Sequence, residues 1–174
     1  MSDLDAFLGK LPEGWPYGVE MRNRAWLRDE YFGCLARHGV AHVFNSWDAM
    51  PAVSEQMAMQ GSCTNPELVA ARFLLKPGRK YEDAVKAFQP YDKTKEVNEE
   101  ARKAGAAMIV EGERHEPRRK MFIYVNNRLE GNALETIAAM LTLADRVHSA
   151  RRKDCLLAPV PLHVPPTRRC WART

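Results

Sequence analysis

Long apolar runs are missing from this chain of 174 residues. No window holds the roughly 18 or more uninterrupted apolar residues that a membrane span needs. The opening MSDLDAFLGK also lacks the basic-then-apolar order of a secretory signal, so the expected location is cytoplasmic. Cysteine is sparse and unpatterned: the residues at 34, 63, 155 and 170 form no CxxC pair and no zinc spacing. In a reducing compartment they read as free thiols, and neither a disulfide, a bound metal nor a cofactor is expected. GxGxxG, HExxH and GxSxG are absent, and the five histidines are scattered at 38, 42, 115, 148 and 163. That removes the usual dinucleotide, zinc-protease and serine-hydrolase signatures.

A general excess of charge is missing as well. The chain totals +4, which at first sight suggests nucleic acid or a membrane surface. Residues 146–174 carry seven basic side chains against Asp154 alone, a balance of +6 that leaves residues 1–145 at −2. The body therefore gives no electrostatic support to nucleic-acid binding. Four of the eleven prolines also fall in 146–174, and helical or strand periodicity stops there. The expected division is an ordered body over 1–145 and a basic, Pro/Arg-rich, disordered tail over 146–174.

What is present is an alternation of strand and helix patterns. Leu4, Phe7, Leu8 and Leu11 recur at helical spacing before Pro12 and Gly14, and a short extended run, YGVEM, follows at 17–21. Leu27, Tyr31, Cys34, Leu35 and His38 mark one side of a second helix that stops at Gly39. VAHVF at 40–44 and LVAARFLL at 68–75 are nearly continuous apolar strands of the type buried in parallel sheets. Between them lies a long connection with a helical turn or two near Val53–Met59. Tyr81, Ala84, Val85 and Phe88 share a helical face, and Val97, Ala101, Ala104 and Met108 another. MFIYV at 121–125 is the clearest strand. Asn132 with Glu135 resembles a capping box, and Leu134, Ile137, Leu141 and Ala144 read as the buried stripe of the last helix. The order predicts an α/β fold with about four parallel strands and flanking helices.

Three constellations can carry chemistry. Glu20 and Arg22 stand at the end of the first strand on one side of it, with Trp26 close behind. They form either a neutralising ion pair or part of a ligand site. Arg72 is a lone cation within ARFLL that must pair with an acid, Glu20 being the obvious candidate, or line the mouth of the sheet. Asn45 and Asp48 follow the second strand toward the same mouth. Asn126 and Asn127, directly after MFIYV, serve either as turn formers or as donors and acceptors to a small polar ligand. Lys76-Pro77-Gly78-Arg79-Lys80 leads into a helix and reads either as a solvated turn or as an anion site.

LPEGWPYGVEMRNRAW, VAHVFNSWDAMP, AARFLLKPGRKYEDAVKAFQPYD and MFIYVNNRLEGNA, in that order, resemble the carboxyl-terminal half of the YecE-like family, domain of unknown function 72. The resemblance spans roughly residues 3–145. It implies a (β/α) TIM-barrel-type fold in a family with no characterised function. The family's ExRHxSW pattern falls on Glu20, Arg22 and Trp26, with Asn23 and Ala25 where His and Ser are usual. Its strand arginine falls on Arg72 and its paired asparagines on Asn126 and Asn127. The missing histidine removes a candidate acid, base or metal ligand. Such barrels need about eight βα units and about 250 residues, so the expectation is a partial barrel, truncated to about half. Its open edges would favour self-association. The functional expectation is a small anionic or polar ligand at the carboxyl ends of the strands, touching Glu20, Arg22, Trp26, Arg72, Lys76, Asn126 and Asn127. The alternatives are a phosphoester- or nucleic-acid-directed barrel hydrolase, or an inactive fragment.

Overall fold

β-branched and aromatic residues concentrate where the chain becomes extended. In the computed structural model, which describes residues 1–115 and 119–157 (151–157 as backbone only), three six-residue strands form: β2 at Ala41–Ser46, β3 at Leu68–Phe73 and β4 at Lys120–Val125. A two-residue strand, β1 at Gly18–Val19, completes a parallel sheet in the order β1-β2-β3-β4. The result is an open α/β sheet that fits a partial barrel, as the alternation of patterns predicts.

β1 is shorter than the expected 17–21 run for a local reason. Ala41 N–H still donates to Tyr17 O at 2.9 Å, but beyond Val19 the Asn45 side-chain amide donates to Met21 O, also at 2.9 Å. A side chain thus replaces the backbone rung, and the ladder ends.

The helices are α1 (Ser2–Leu8), α2 (Asp29–Arg37), α3 (Val53–Ala58), α4 (Tyr81–Phe88), α5 (Glu99–Arg114) and α6 (Ala133–Leu157). One 3₁₀ turn covers Arg24–Trp26, opened by Asn23, whose side chain accepts from Ala25 N–H. After α2 the chain turns at Gly39, whose φ of +64° is left-handed and suits a residue without a Cβ. Among the described residues, no helix is long and apolar enough to cross a membrane.

Register decides which side chains meet the helices. Val69, Ala71 and Phe73 of β3, with Phe44 of β2, point into a core closed by Val53, Met57, Ala101, Ala104, Met108 and Met140. Met121, Ile123 and Val125 of β4 join the edge of that core. On the other face, Val43 pairs with Ala70 and Ala70 with Phe122, while Asn45 pairs with Arg72 and Arg72 with Tyr124. No helix among the described residues covers the β4 end of this second face: Phe122 is 45% exposed and Tyr124 57%.

A buried charge locks the α5–α6 corner. Glu130, fully buried, receives Arg102 Nε at 2.9 Å and Nη2 at 2.8 Å, Thr136 Oγ1 at 2.7 Å and Asn98 N–H at 2.5 Å. With its donors in place the carboxylate is satisfied, and breaking the pair would strand a buried charge. Gly131 follows at φ +114°, where a Cβ would lie 2.5 Å from Lys93 O, so this turn accepts only glycine.

The last helix departs from expectation in three ways. Asn132 Oδ1 caps it, accepting from Leu134 and Glu135 N–H, but Glu135 reaches across to Thr94 N–H and does not close a reciprocal box. Leu134 (78% exposed) and Leu141 (49%) lie outside the core and Ile137 is at its margin, while Thr136, Met140 and Ala144 are buried. The physical reason is the Glu130 anchor, which pulls Thr136 inward and rotates the helix away from its most apolar line. Finally, α6 continues through Leu157, twelve residues past the expected body boundary. His148 Nε2 pairs with Glu113 at 3.2 Å, tying the first turn of that continuation back to α5. The remainder of the expected tail, 158–174, lies outside the described residues, as do 116–118 within the charged turn after α5.

Candidate functional site at the strand ends

Alternation places Glu20, Asn45 and Arg72 on the same face of the sheet, at the carboxyl ends of β1, β2 and β3. Glu20 is the hub. Its Oε1 accepts from Arg22 Nε at 2.9 Å, and its Oε2 accepts a short bond from Arg72 Nη1. The carboxylate is 16% exposed, and Arg22 and Arg72 are 45% and 41% exposed, so both guanidiniums face outward from a sheltered acid. Each guanidinium has five N–H donors, and Glu20 engages only part of each set.

The Arg22 guanidinium also lies 4.4 Å from the ring centre of Trp47, a cation–π contact that fixes its plane. Trp47 was not among the expected site residues. It shares parity with Asn45 just past β2, and that parity is the signal that identifies it. Asn45 is fully buried; its Nδ2 holds Met21 O, and its Oδ1 has no hydrogen-bond partner among the described residues.

Other expected residues stand differently. Trp26 lies in the 3₁₀ turn, with Arg28 5.7 Å from its ring centre. Lys76 Nζ pairs with Glu96 at 3.2 Å, and Arg79 Nη2 with the same carboxylate at 2.6 Å. Glu96, held below the usual carboxylate range chiefly by Arg79, thus offsets the cationic turn that sequence alone suggested as an anion site. Asn126 Oδ1 accepts from Arg128 N–H at 2.9 Å, and Asn127 Oδ1 from Ala133 N–H at 2.8 Å. Both side-chain carbonyls build the β4–α6 turn, which is the turn-forming alternative for this pair. Asp48 contributes its backbone carbonyl, accepting from Gly78 N–H at 2.9 Å and joining the loops after β2 and β3.

The buried histidine belongs to the opposite face. His42 is boxed by Tyr31, Phe32 and Phe44 with ring centres 4.9–5.7 Å away, and burial pulls its pKa down to about 4. It is a neutral core residue at ordinary pH. At the strand ends, then, the groups described are hydrogen-bond donors and fixed charges. That arrangement can orient and neutralise an anion.

A second cluster lies away from the sheet, where Asp5, Cys34 and His38 each bring a metal-ligating atom within 4.8 Å of the others. Hydrogen bonds from His38, Arg37 and Cys34 hold the Asp5 pKa down at about 2, so the carboxylate is ionised.

A parallel α/β sheet with its charged cluster at the carboxyl ends of the strands belongs to the class in which ligand sites form at that end. The chain belongs to the family described as "Protein of unknown function DUF72", which it matches over residues 1–159. It is similar to two crystal structures of a DUF72 family protein from Enterococcus faecalis V583. For one, identity is 17% and the TM-score 0.49, with 83% of this chain and 51% of the other covered. For the second, identity is 16% and the TM-score 0.49, with coverage of 83% and 53%. The chain thus spans about half the length of those structures. No curated protein matches it.

Proposed function

We propose that this DUF72 family member binds a small anionic or polar molecule, of the carboxylate or phosphate-ester class, at the carboxyl ends of its strands. Arg22 and Arg72 supply the contacts and Glu20 sets the distance between them. The observation that carries this reading is the shared carboxylate: two half-exposed guanidiniums are pre-positioned by one sheltered acid, each with N–H groups to spare. Asn45, fully buried on the same face, holds Met21 O between Glu20 and Arg22 and so fixes the backbone that carries them. Ordering cost is low, because Trp47 and Glu20 already hold Arg22 in place.

A thermal-shift screen with inorganic phosphate, small carboxylates and phosphorylated metabolites tests it. A ligand at 100 times its Kd stabilises by about 2.7 kcal/mol, which raises Tm by several degrees in a chain of this size. Arg72→Ala and Arg22→Ala are each expected to abolish the shift. If no anion shifts the wild type, or if the shift survives both substitutions, the reading fails.

We also propose that a second copy of the chain covers the open face of the sheet at its β4 edge. Phe122 and Tyr124 stand exposed there on an edge strand, a combination that favours association. Light scattering is expected to give a dimer or larger species, and a monodisperse monomer at high concentration rules it out.

A further inference from the structure

We infer that Asp5, Cys34 and His38 form a three-ligand site for a borderline-soft divalent transition metal of the zinc class, clamping α1 to α2. Cys34 and His38 are four residues apart at the end of α2, which puts both side chains on one face of the helix. Asp5 arrives from the middle of α1, which packs against that face through Leu8, Cys34 and Leu35. The three ligand atoms already converge: Asp5 Oδ1 is 3.5 Å from Cys34 Sγ and 3.0 Å from His38 Nε2.

Those separations match what a tetrahedral metal imposes. With metal–sulfur bonds of about 2.3 Å and metal–oxygen and metal–nitrogen bonds of about 2.0–2.1 Å, ligand–ligand edges come to about 3.5 Å for S···O and about 3.3 Å for N···O. On these two edges the ion needs shifts of a few tenths of an ångström, and the third, between Cys34 and His38, is within 4.8 Å. Thiolate with imidazole selects zinc, cobalt or copper over magnesium or calcium, and a single carboxylate completes a mixed S, N, O set. Access is also graded. Cys34 is fully buried, whereas the Asp5 and His38 side chains are 46% and 25% exposed, so the ion enters from their side and keeps a water in its fourth position.

The same carboxylate oxygen accepts from Arg37 Nη2 at 2.9 Å. The guanidinium occupies the cation's place and must swing out when a metal binds. Binding also takes the proton from the Cys34 thiol, so it strengthens with rising pH.

Cobalt(II) titration of the chelator-treated full chain reads the site directly, because a thiolate ligand gives a near-ultraviolet charge-transfer band and four-coordination gives intense visible bands. The expected result is one cobalt per chain with both signatures, displaced by zinc. Cys34→Ser is expected to lose the charge-transfer band. Asp5→Asn and His38→Gln, both at partly exposed positions, should weaken binding by more than the roughly tenfold to hundredfold that changes outside a ligand set produce. The triple variant Cys63→Ser/Cys155→Ser/Cys170→Ser should keep the band, and Arg37→Ala should tighten binding by removing the competing cation. No charge-transfer band in the wild type, a band that persists in Cys34→Ser, or a band lost in the triple variant overturns the site.

Discussion

The two faces of the sheet are built from the same strands and obey opposite rules. On one, Phe44, Val69, Ala71 and Phe73 are at most 2% exposed beneath α3, α5 and α6. On the other, one residue away along β3, Arg72 is half-exposed, and beside it on β4 Tyr124 is open to solvent. Stability is concentrated on the first face, and the groups capable of recognising a ligand stand on the second. The alternation of a β-strand is what permits this, since successive side chains serve different faces without interfering.

The contrast is sharpest in core truncation. Phe73→Ala on the covered face is expected to cost about 3–5 kcal/mol, read as a fall in the urea midpoint at unchanged slope. A loss below 1 kcal/mol would mean that the helix layer is not the seat of stability.

Acid offers a second probe of the covered face. In the unfolded chain His42 titrates near 6.5, while in the fold its pKa is about 4. Between those values the unfolded state binds more protons, so stability is full above 6.5 and falls as pH drops toward 4, by about 3 kcal/mol in total. His42→Phe should flatten denaturation curves compared between pH 7 and 4.5; an unchanged slope would assign the acid sensitivity elsewhere.

The smallest effect is expected on the open face, where Tyr124→Ser should alter the chain's stability by about 0.5 kcal/mol or less and reduce self-association in light scattering. A Tyr124 substitution as damaging as Phe73→Ala would erase the distinction between the faces.

Much of this arrangement is legible in the sequence. Apolar runs with β-branched and aromatic residues locate all four strands, and a single charge inside ARFLL predicts that Arg72 needs an acid, which it finds in Glu20. α6 misleads because its sequence is apolar on more than one line. Leu134, Ile137 and Leu141 outrank Thr136 by hydropathy, but Thr136 carries the hydroxyl that Glu130 requires. Pairings distant along the chain are illegible for a different reason. Nothing local in DAF or FGCLARH announces that Asp5 meets Cys34 and His38; only the packing of α1 on α2 brings them together. Glu96 illustrates the same limit, since a loop acid twenty residues from Lys76 pairs with two of the three cations of a turn that looked free.

Glu20 finally sets a rule of valence. One carboxylate against two guanidiniums leaves this cluster a surplus of one positive charge. A singly charged guest brings the trio to neutrality, whereas a doubly charged one must leave an excess negative charge beside a sheltered acid. In the proposed role, carboxylates and singly ionised phosphate diesters are favoured over fully ionised monoesters, and acidification should help a monoester bind by removing its second charge.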